Sequence, residues 1–290
     1  MPYIERQAIS LCGKAVHGWS MIAHGDHLAV GLSGGKDSLS LLWLLAERRR
    51  RVPITFDLTA IHVEMGFHSV DHQALADFCG GLGVDFQVIE TDYGPRAHTP
   101  ENRENSPCFF CALHRRRELF QASARLGCGK LAFAHHQDDI FETFLLNSLF
   151  AGHLSTMLPV QPFFGGEIVV IRPLALMSAD QTRRFSAHKN LPVQPPCCPS
   201  SNLGQRATMR AFLDDMHRQN KRVRASLWHA LTSSGLPALP TPPTTQRKSR
   251  TRAASGKAGQ SGAPVANAGQ PGAPVANAGR PGAPAVKAGR

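Results

Sequence analysis

Short apolar runs and helix-spaced apolar positions take turns through much of the chain. Leu28-Ala29-Val30-Gly31-Leu32 is a compact apolar run with polar flanks and reads as a buried strand. The same pattern predicts strands over 56–63, 84–89, 130–134 and 167–171. Apolar positions at helical spacing predict helices over 71–82, 108–126, 138–150 and 179–189. Leu39, Leu41, Leu42, Leu44 and Leu45 mark another helix directly after the first strand. A helix over 4–23 precedes that strand, and a terminal helical piece is expected over about 206–230. Residues 91–107 are rich in proline and polar side chains and read as a loop. Strands alternating with helices predict an α/β fold: a parallel sheet covered on both faces, Rossmann-like, with its ligand at the carboxyl ends of the strands.

The turn after the first strand reads Ser33-Gly34-Gly35-Lys36-Asp37-Ser38. Adjacent glycines let the backbone approach an anion closely. The helix that follows aims its unpaired N–H groups and positive dipole end into the same turn. Ser33 and Ser38 add hydroxyls and Lys36 adds charge, so the loop suits phosphate. Its spacing is not that of the common P-loop, which has four residues between its first glycine and the Gly-Lys pair. The order resembles the pyrophosphate-binding PP-loop of ATP pyrophosphatases, and that resemblance implies ATP as the ligand. An acid in the fifth place fits Mg²⁺ or a reacting group. The plain alternative is an ordinary strand–turn–helix junction.

Two further constellations carry chemistry. His135-His136-Gln137-Asp138-Asp139 follows the strand at 130–134, with Glu142 and Thr143 beyond it. One of the two acids is expected as a helix N-cap, and Asp138 or Asp139 can hold Mg²⁺ or water over the phosphates. Cys108-Phe109-Phe110-Cys111 opens a helix after Pro107, where the dipole favours thiolates. Cys197-Cys198 lie in Gln194-Pro195-Pro196-Cys197-Cys198-Pro199. Three cysteines around one centre suit a [4Fe-4S] cluster with one open iron; tetrahedral zinc with a fourth ligand is the rival. Cys12, Cys79 and Cys128 sit in apolar contexts and read as packing residues.

Charge changes this picture less than its total suggests. The net charge is +11, but eight basic residues and no acid lie beyond residue 235, which leaves +3 for residues 1–235. Within that part Arg48–Arg51, Arg115–Arg117 and the group Arg218, Lys221, Arg222 and Arg224 are basic clusters. They read as solvated faces or as RNA contacts. Residues 236–290, with three near-identical Gly-Ala-Pro decapeptides over 261–290, read as a disordered basic tail. No apolar run is long enough for a bilayer and no signal sequence is visible, so a cytoplasmic protein without a membrane partner is expected.

The glycine turn, the Cys-x-x-Cys and the His-His-x-Asp-Asp-x-x-Glu-Thr stretch, followed by late cysteines, together resemble the tRNA 2-thiocytidine synthetase (TtcA) family of PP-loop enzymes. The likeness runs from about Met21 to Met216 and includes Arg172-Pro173-Leu174 and Asn202-Leu203. It implies an adenine nucleotide alpha hydrolase-like fold, divided into an N-terminal helical segment 1–24, a PP-loop thiolase domain 25–216, a helical extension 217–235 and the tail 236–290. It implies an ATP-dependent transferase that adenylates the C2 oxygen of a tRNA cytidine, at position 32, and replaces it with sulfur. By position Ser33, Gly34, Gly35, Lys36, Asp37 and Ser38 would bind pyrophosphate, with Lys36 and Asp37 catalytic. His136, Asp138 and Asp139 would lie near ATP and Mg²⁺. Cys108 and Cys111 would be catalytic cluster ligands, with Cys197, or alternatively Cys198, as the third. The implied partners are tRNA and a sulfur donor such as a cysteine desulfurase, and a homodimer is compatible with the family. The adjacent late cysteines, and Ser200 where the family has Gln, depart from the usual pattern. A uridine thiolase, a lysidine synthetase or a nonenzymatic zinc- and RNA-binding module are the alternatives.

Overall fold

A computed structural model describes residues 1–67, 70–100, 102, 106–195, 198 and 204–244. The elements in chain order are α1 (Tyr3–Gly18), β1 (Asp26–Gly31), α2 (Lys36–Arg51), β2 (Phe56–Glu64) and α3 (His72–Gly81). Then come β3 (Asp85–Glu90), α4 (Tyr93–Ala97), α5 (Pro107–Arg125), β4 (Lys130–Ala132) and α6 (Gln137–Phe150). The last are β5 (Val160–Phe163), β6 (Ile168–Ile171), α7 (Ala179–His188), α8 (Gln205–Gln219) and α9 (Val223–Ser233).

The strands form one sheet in the order β3-β2-β1-β4-β6-β5. All neighbours are parallel except β5, which pairs antiparallel with β6. Strand alternation divides the core. Leu28 and Val30 of β1, with Leu58 and Ala60 of β2, join residues of α1, α2, α3 and α7 on one face. Ala29, Ile61 and Val63 join Leu119, Phe120 and Ala122 of α5 on the other. Both faces are therefore buried, as the apolar strands predict. The remaining helices α6, α8 and α9 share a third cluster around Phe141, Leu213 and Leu231.

The sheet departs from the sequence reading at one edge. β5 was not foreseen, because Pro162 within it and Gly165 and Gly166 after it look like a loop. Proline is tolerated here because β5 is the last strand of the sheet. The stretch 91–107 also contains helix α4. Gly94 makes that turn close, since its N–H donates to the Met65 carbonyl at 2.7 Å and a Cβ would lie 2.4 Å from Phe67. The terminal helical piece divides into α8 and α9. The expected tail lies, beyond residue 244, outside the described residues. No helix among the described residues is long and apolar enough to cross a membrane.

Strand order reverses direction between β1 and β4, so the segments leaving those two strands diverge and open a crevice at their carboxyl ends. The glycine turn leaves β1 there, and the paired histidines leave β4.

Candidate active site

Gly34 has φ +77°, and a Cβ there would lie 2.9 Å from Gln194 Cγ. Both the left-handed backbone and the close neighbour require glycine. Hydroxyls brace the turn: Ser38 Oγ accepts from Ser33 N at 3.1 Å and donates to the Gly35 carbonyl at 3.0 Å. No side chain among the described residues caps α2, which begins at Lys36, so its first-turn N–H groups face the turn uncapped. Lys36 Nζ donates to Asp37 Oδ2 at 2.6 Å. Asp37 Oδ1 is buried and has no hydrogen-bond partner among the described residues. An orphaned carboxylate oxygen beside a phosphate cradle fits a Mg²⁺ ligand.

His136 caps α6 reciprocally. Its Nδ1 accepts from Asp139 N at 3.4 Å, while Asp139 Oδ2 accepts from His136 N at 2.9 Å. His136 Nδ1 also stands 3.1 Å from Asp139 Oδ2, and its Nε2 stands 4.0 Å from Asp37 Oδ2. Asp37, His136 and Asp139 thus converge from the two sides of the crevice.

Asp138, expected beside Asp139 near ATP and Mg²⁺, is bonded elsewhere. It is 4% exposed, and its Oδ2 accepts from Ala179 N at 2.6 Å, where it satisfies the start of α7. Its other oxygen pairs with Arg224 of α9. Successive residues on a helix point about 100° apart, so Asp139 facing the crevice turns Asp138 into the helical layer. Glu142, fully buried, accepts from Arg210 Nε at 2.8 Å and also ties helices together.

A cavity of about 390 Å³ occupies the crevice, within the range that holds a nucleotide-sized ligand. Ser33, Gly35, Asp37 and Ser38 line it from one side and His135 and Asp139 from another. Ala112, Arg115 and Arg116 of α5 form a third wall, and His62 and Glu64 at the end of β2 complete it. Sequence reasoning passed over His135 in favour of its neighbour. Arg172 Nε donates to His135 Nδ1 at 3.3 Å, and burial, followed by the Arg172 charge, pushes the His135 pKa down to about 4. The ring is therefore neutral at neutral pH. Arg172 is itself buried and lowered to about 10, by burial first and then by the Arg116 charge.

The thiols lie on the helix that walls this cavity. Cys108 and Cys111 occupy the first turns of α5, where Ser106 Oγ accepts from Phe109 N at 3.3 Å and Pro107 starts the helix. Cys108 is exposed and Cys111 half-buried. Burial pushes the Cys111 thiol up and the Arg115 charge opposes this, while Cys198 and Cys108 add to the rise. Cysteine sulfur is the donor type that an iron–sulfur cluster takes, but among the described residues Cys108, Cys111 and Cys198 are not gathered with their sulfurs within 4.8 Å of one another. Cys197, first choice for the third position, lies outside the described residues. Cys12, Cys79 and Cys128 are buried in apolar surroundings, with thiols raised to about 12, 12 and 11 by burial.

The basic clusters separate by use. Arg49 donates to the Leu82 and Gly83 carbonyls at 3.2 and 2.7 Å, and Arg51 donates to Glu47 at 2.6 Å. Arg224 is held by Asp138 and Asp214. Arg115, Arg116 and Arg117 are all exposed, and the first two face the cavity.

Compared with known proteins, residues 6–213 match the PP-loop domain family. A tRNA-cytidine(32) 2-sulfurtransferase of Citrifermentans bemidjiense is 34% identical over 223 residues, 76% of this chain and 88% of that protein. One of Pelobacter propionicus is 36% identical over 223 residues, 76% of this chain and 83% of its own length. Among solved structures, the U34-tRNA thiolase NcsA from Methanococcus maripaludis, with its [4Fe-4S] cluster, superposes with a TM-score of 0.65. At 24% identity, over 77% of this chain and 76% of the other, that likeness speaks for the fold. With its glycine turn, its crevice and these relatives, the chain belongs to the PP-loop superfamily and, within it, to the tRNA-cytidine 2-sulfurtransferase family of tRNA thiolases.

Proposed function

We propose that this protein uses ATP to activate the C2 oxygen of a tRNA cytidine, at position 32 of the anticodon loop, and replaces that oxygen with sulfur. One observation carries the reading: α5 holds Cys108 and Cys111 at its start and walls the phosphate-cradling cavity with Ala112, Arg115 and Arg116. Activation and sulfur delivery need one cleft, and the helix joins them.

The chain's residues divide the work. The Ser33–Ser38 turn and the start of α2 hold the pyrophosphate of ATP, and Lys36 neutralises its charge. Asp37 and Asp139 would hold Mg²⁺, with Asp37 Oδ1 as the ready ligand, and the ion would offset phosphate charge. The cytidine C2 oxygen attacks the α-phosphorus, the bond to the bridging oxygen breaks, and pyrophosphate leaves. An oxygen that leaves poorly as hydroxide leaves well as AMP. Arg115 and Arg116 hold the tRNA backbone at the cavity mouth. A [4Fe-4S] cluster held by Cys108, Cys111 and Cys198 or Cys197 would supply sulfur-transfer chemistry when bound. Sulfide-level sulfur takes the C2 position as AMP departs; a cysteine desulfurase-type donor supplies its replacement as a persulfide, and two electrons from a thiol-class reductant return that sulfur to the sulfide level.

The test is mass spectrometry of tRNA nucleosides from cells with and without this gene. Loss of 2-thiocytidine, restored by the intact gene, is the expected result. Unchanged 2-thiocytidine with loss of a thiouridine or of lysidine would overturn the substrate assignment.

A further inference from the structure

β2 ends in His62-Val63-Glu64, and residues two apart on a strand share a face. His72, the first residue of α3, meets them from the neighbouring helix. His72 Nε2 stands 3.2 Å from Glu64 Oε2, and His62 Nε2 stands 3.8 Å from the same oxygen. One donor atom from each residue lies within 4.8 Å of the other two. A tetrahedral zinc ion with bonds near 2.0–2.1 Å holds its ligand atoms roughly 3.4 Å apart.

A hydrogen bond orients the His62 ring for an ion, and a carboxylate stands near the second nitrogen of His72. His62 Nδ1 lies 2.8 Å from the Leu32 carbonyl, which can only accept, so that nitrogen carries the proton. His62 Nε2 is then turned, buried and without a hydrogen-bond partner among the described residues, toward a carboxylate oxygen that His72 Nε2 also reaches at 3.2 Å. An imidazole lone pair facing a buried carboxylate suits a positive centre between them. Glu64 Oε1 accepts from Gly66 N at 2.9 Å and Phe67 N at 3.2 Å, which orients Oε2 toward the imidazoles. His72 Nδ1 lies 3.8 Å from Glu90 Oε1. Metal-binding histidines characteristically face a carbonyl or carboxylate with their second nitrogen in this way. Arg115, which lines the same cavity, opposes a cation, while Glu64 and Glu90 favour one.

We propose that His62 Nε2, Glu64 Oε2 and His72 Nε2 form a binding site for one divalent transition-metal ion of the zinc class, separate from the cysteines and from the phosphate loop. Two imidazoles and one carboxylate leave a fourth position open. His62 and Glu64 line the cavity, so the ion sits in its wall, and that position takes water or an oxygen of the cavity's occupant. The site stands whether or not the thiolation reading holds.

The test is anaerobic titration of the full-length protein with Co²⁺, a spectroscopic stand-in for Zn²⁺. One equivalent binding with visible d–d bands but no intense sulfur-to-cobalt band, and displaced by Zn²⁺, is expected. His72→Ala should weaken that binding at least tenfold with an unchanged circular dichroism spectrum, since the helix cap Asp71 remains. Glu64→Gln is a second variant; if it fails to fold, His72→Ala decides alone. Cobalt bound only through sulfur, or an affinity untouched by His72→Ala, overturns the proposal.

Discussion

Gln194 N donates to the Gly34 carbonyl at 2.9 Å, which ties the segment leading to the late cysteines to the glycine turn. Gln194 Oε1 also accepts from Asp71 N at 3.1 Å, so one residue, through its backbone and its side chain, bridges the glycine turn and the cap of α3. Residues far apart in the chain are thereby held together at the turn.

Gly34→Ala tests that join. The alanine meets a left-handed backbone costing about 1–2 kcal/mol and a Cβ position 2.9 Å from Gln194 Cγ. AMP formation from ATP should fall at least tenfold, with the fold retained by circular dichroism. Wild-type turnover would show that the turn tolerates displacement of Gln194.

Asp37→Ala and Cys108→Ala should separate the two half-reactions. Loss of Asp37 would remove the proposed Mg²⁺ ligand and should lower AMP formation by roughly 10²–10³-fold, the range seen for a preorganised electrostatic group. Cys108→Ala should abolish thiolation and leave nucleotide binding intact by calorimetry. Joint loss of both functions in Cys108→Ala would contradict this division of labour.

Asp138→Ala should act on stability instead. It leaves Ala179 N without its acceptor and Arg224 with only Asp214. The expected cost is about 2 kcal/mol, below the roughly 3–5 kcal/mol of a fully buried pair because Arg224 keeps one partner. Chemical denaturation measures it, and the KM for ATP of Asp138→Asn should stay at the wild-type value.

Arg115→Ala and Arg116→Ala should weaken tRNA binding and flatten its salt dependence by roughly 0.7–0.9 in log–log slope per arginine. Arg49→Ala is the contrast: it loses the bonds to Leu82 and Gly83 and should lower the melting temperature while leaving the salt slope unchanged. Filter binding across a salt series distinguishes them.

His135 should leave a mark on the pH dependence of stability. Its folded pKa is pushed down to about 4 from 6.5. Above pH 6.5 neither state is protonated and the group contributes nothing. As pH falls from 6.5 toward 4 the unfolded chain binds a proton that the folded ring refuses, so stability drops. His135→Asn should flatten that portion of the curve; an identical slope would mean that the ring is not held neutral.

Local chemistry made much of this molecule legible in the sequence. The apolar strands, the glycine turn and the cysteines at a helix start are short-range patterns, and each reports on its own few residues. β5 escaped because Pro162 forbids a central strand, and nothing nearby says that the strand is an edge. His62 and Glu64 carried a faint signal in their i, i+2 spacing, but His72 enters only through the fold. An acid was expected as the cap of α6, but His136 is the N-cap and Asp139 answers it from the first turn, and where Asp138 points depended on where α7 and α9 lie.

By itself, the sequence determined the alternation of strand and helix, the phosphate turn and the family, because backbone geometry and apolar periodicity act over a few residues. Tertiary structure alone decided that Asp138 serves α7, that burial beside Arg172 holds His135 neutral, that Gln194 grips Gly34 and that α5, the helix that starts with the thiols, lends Ala112, Arg115 and Arg116 to the cavity wall. These depend on which distant groups share a buried space, where desolvation and facing charges set each side chain's role.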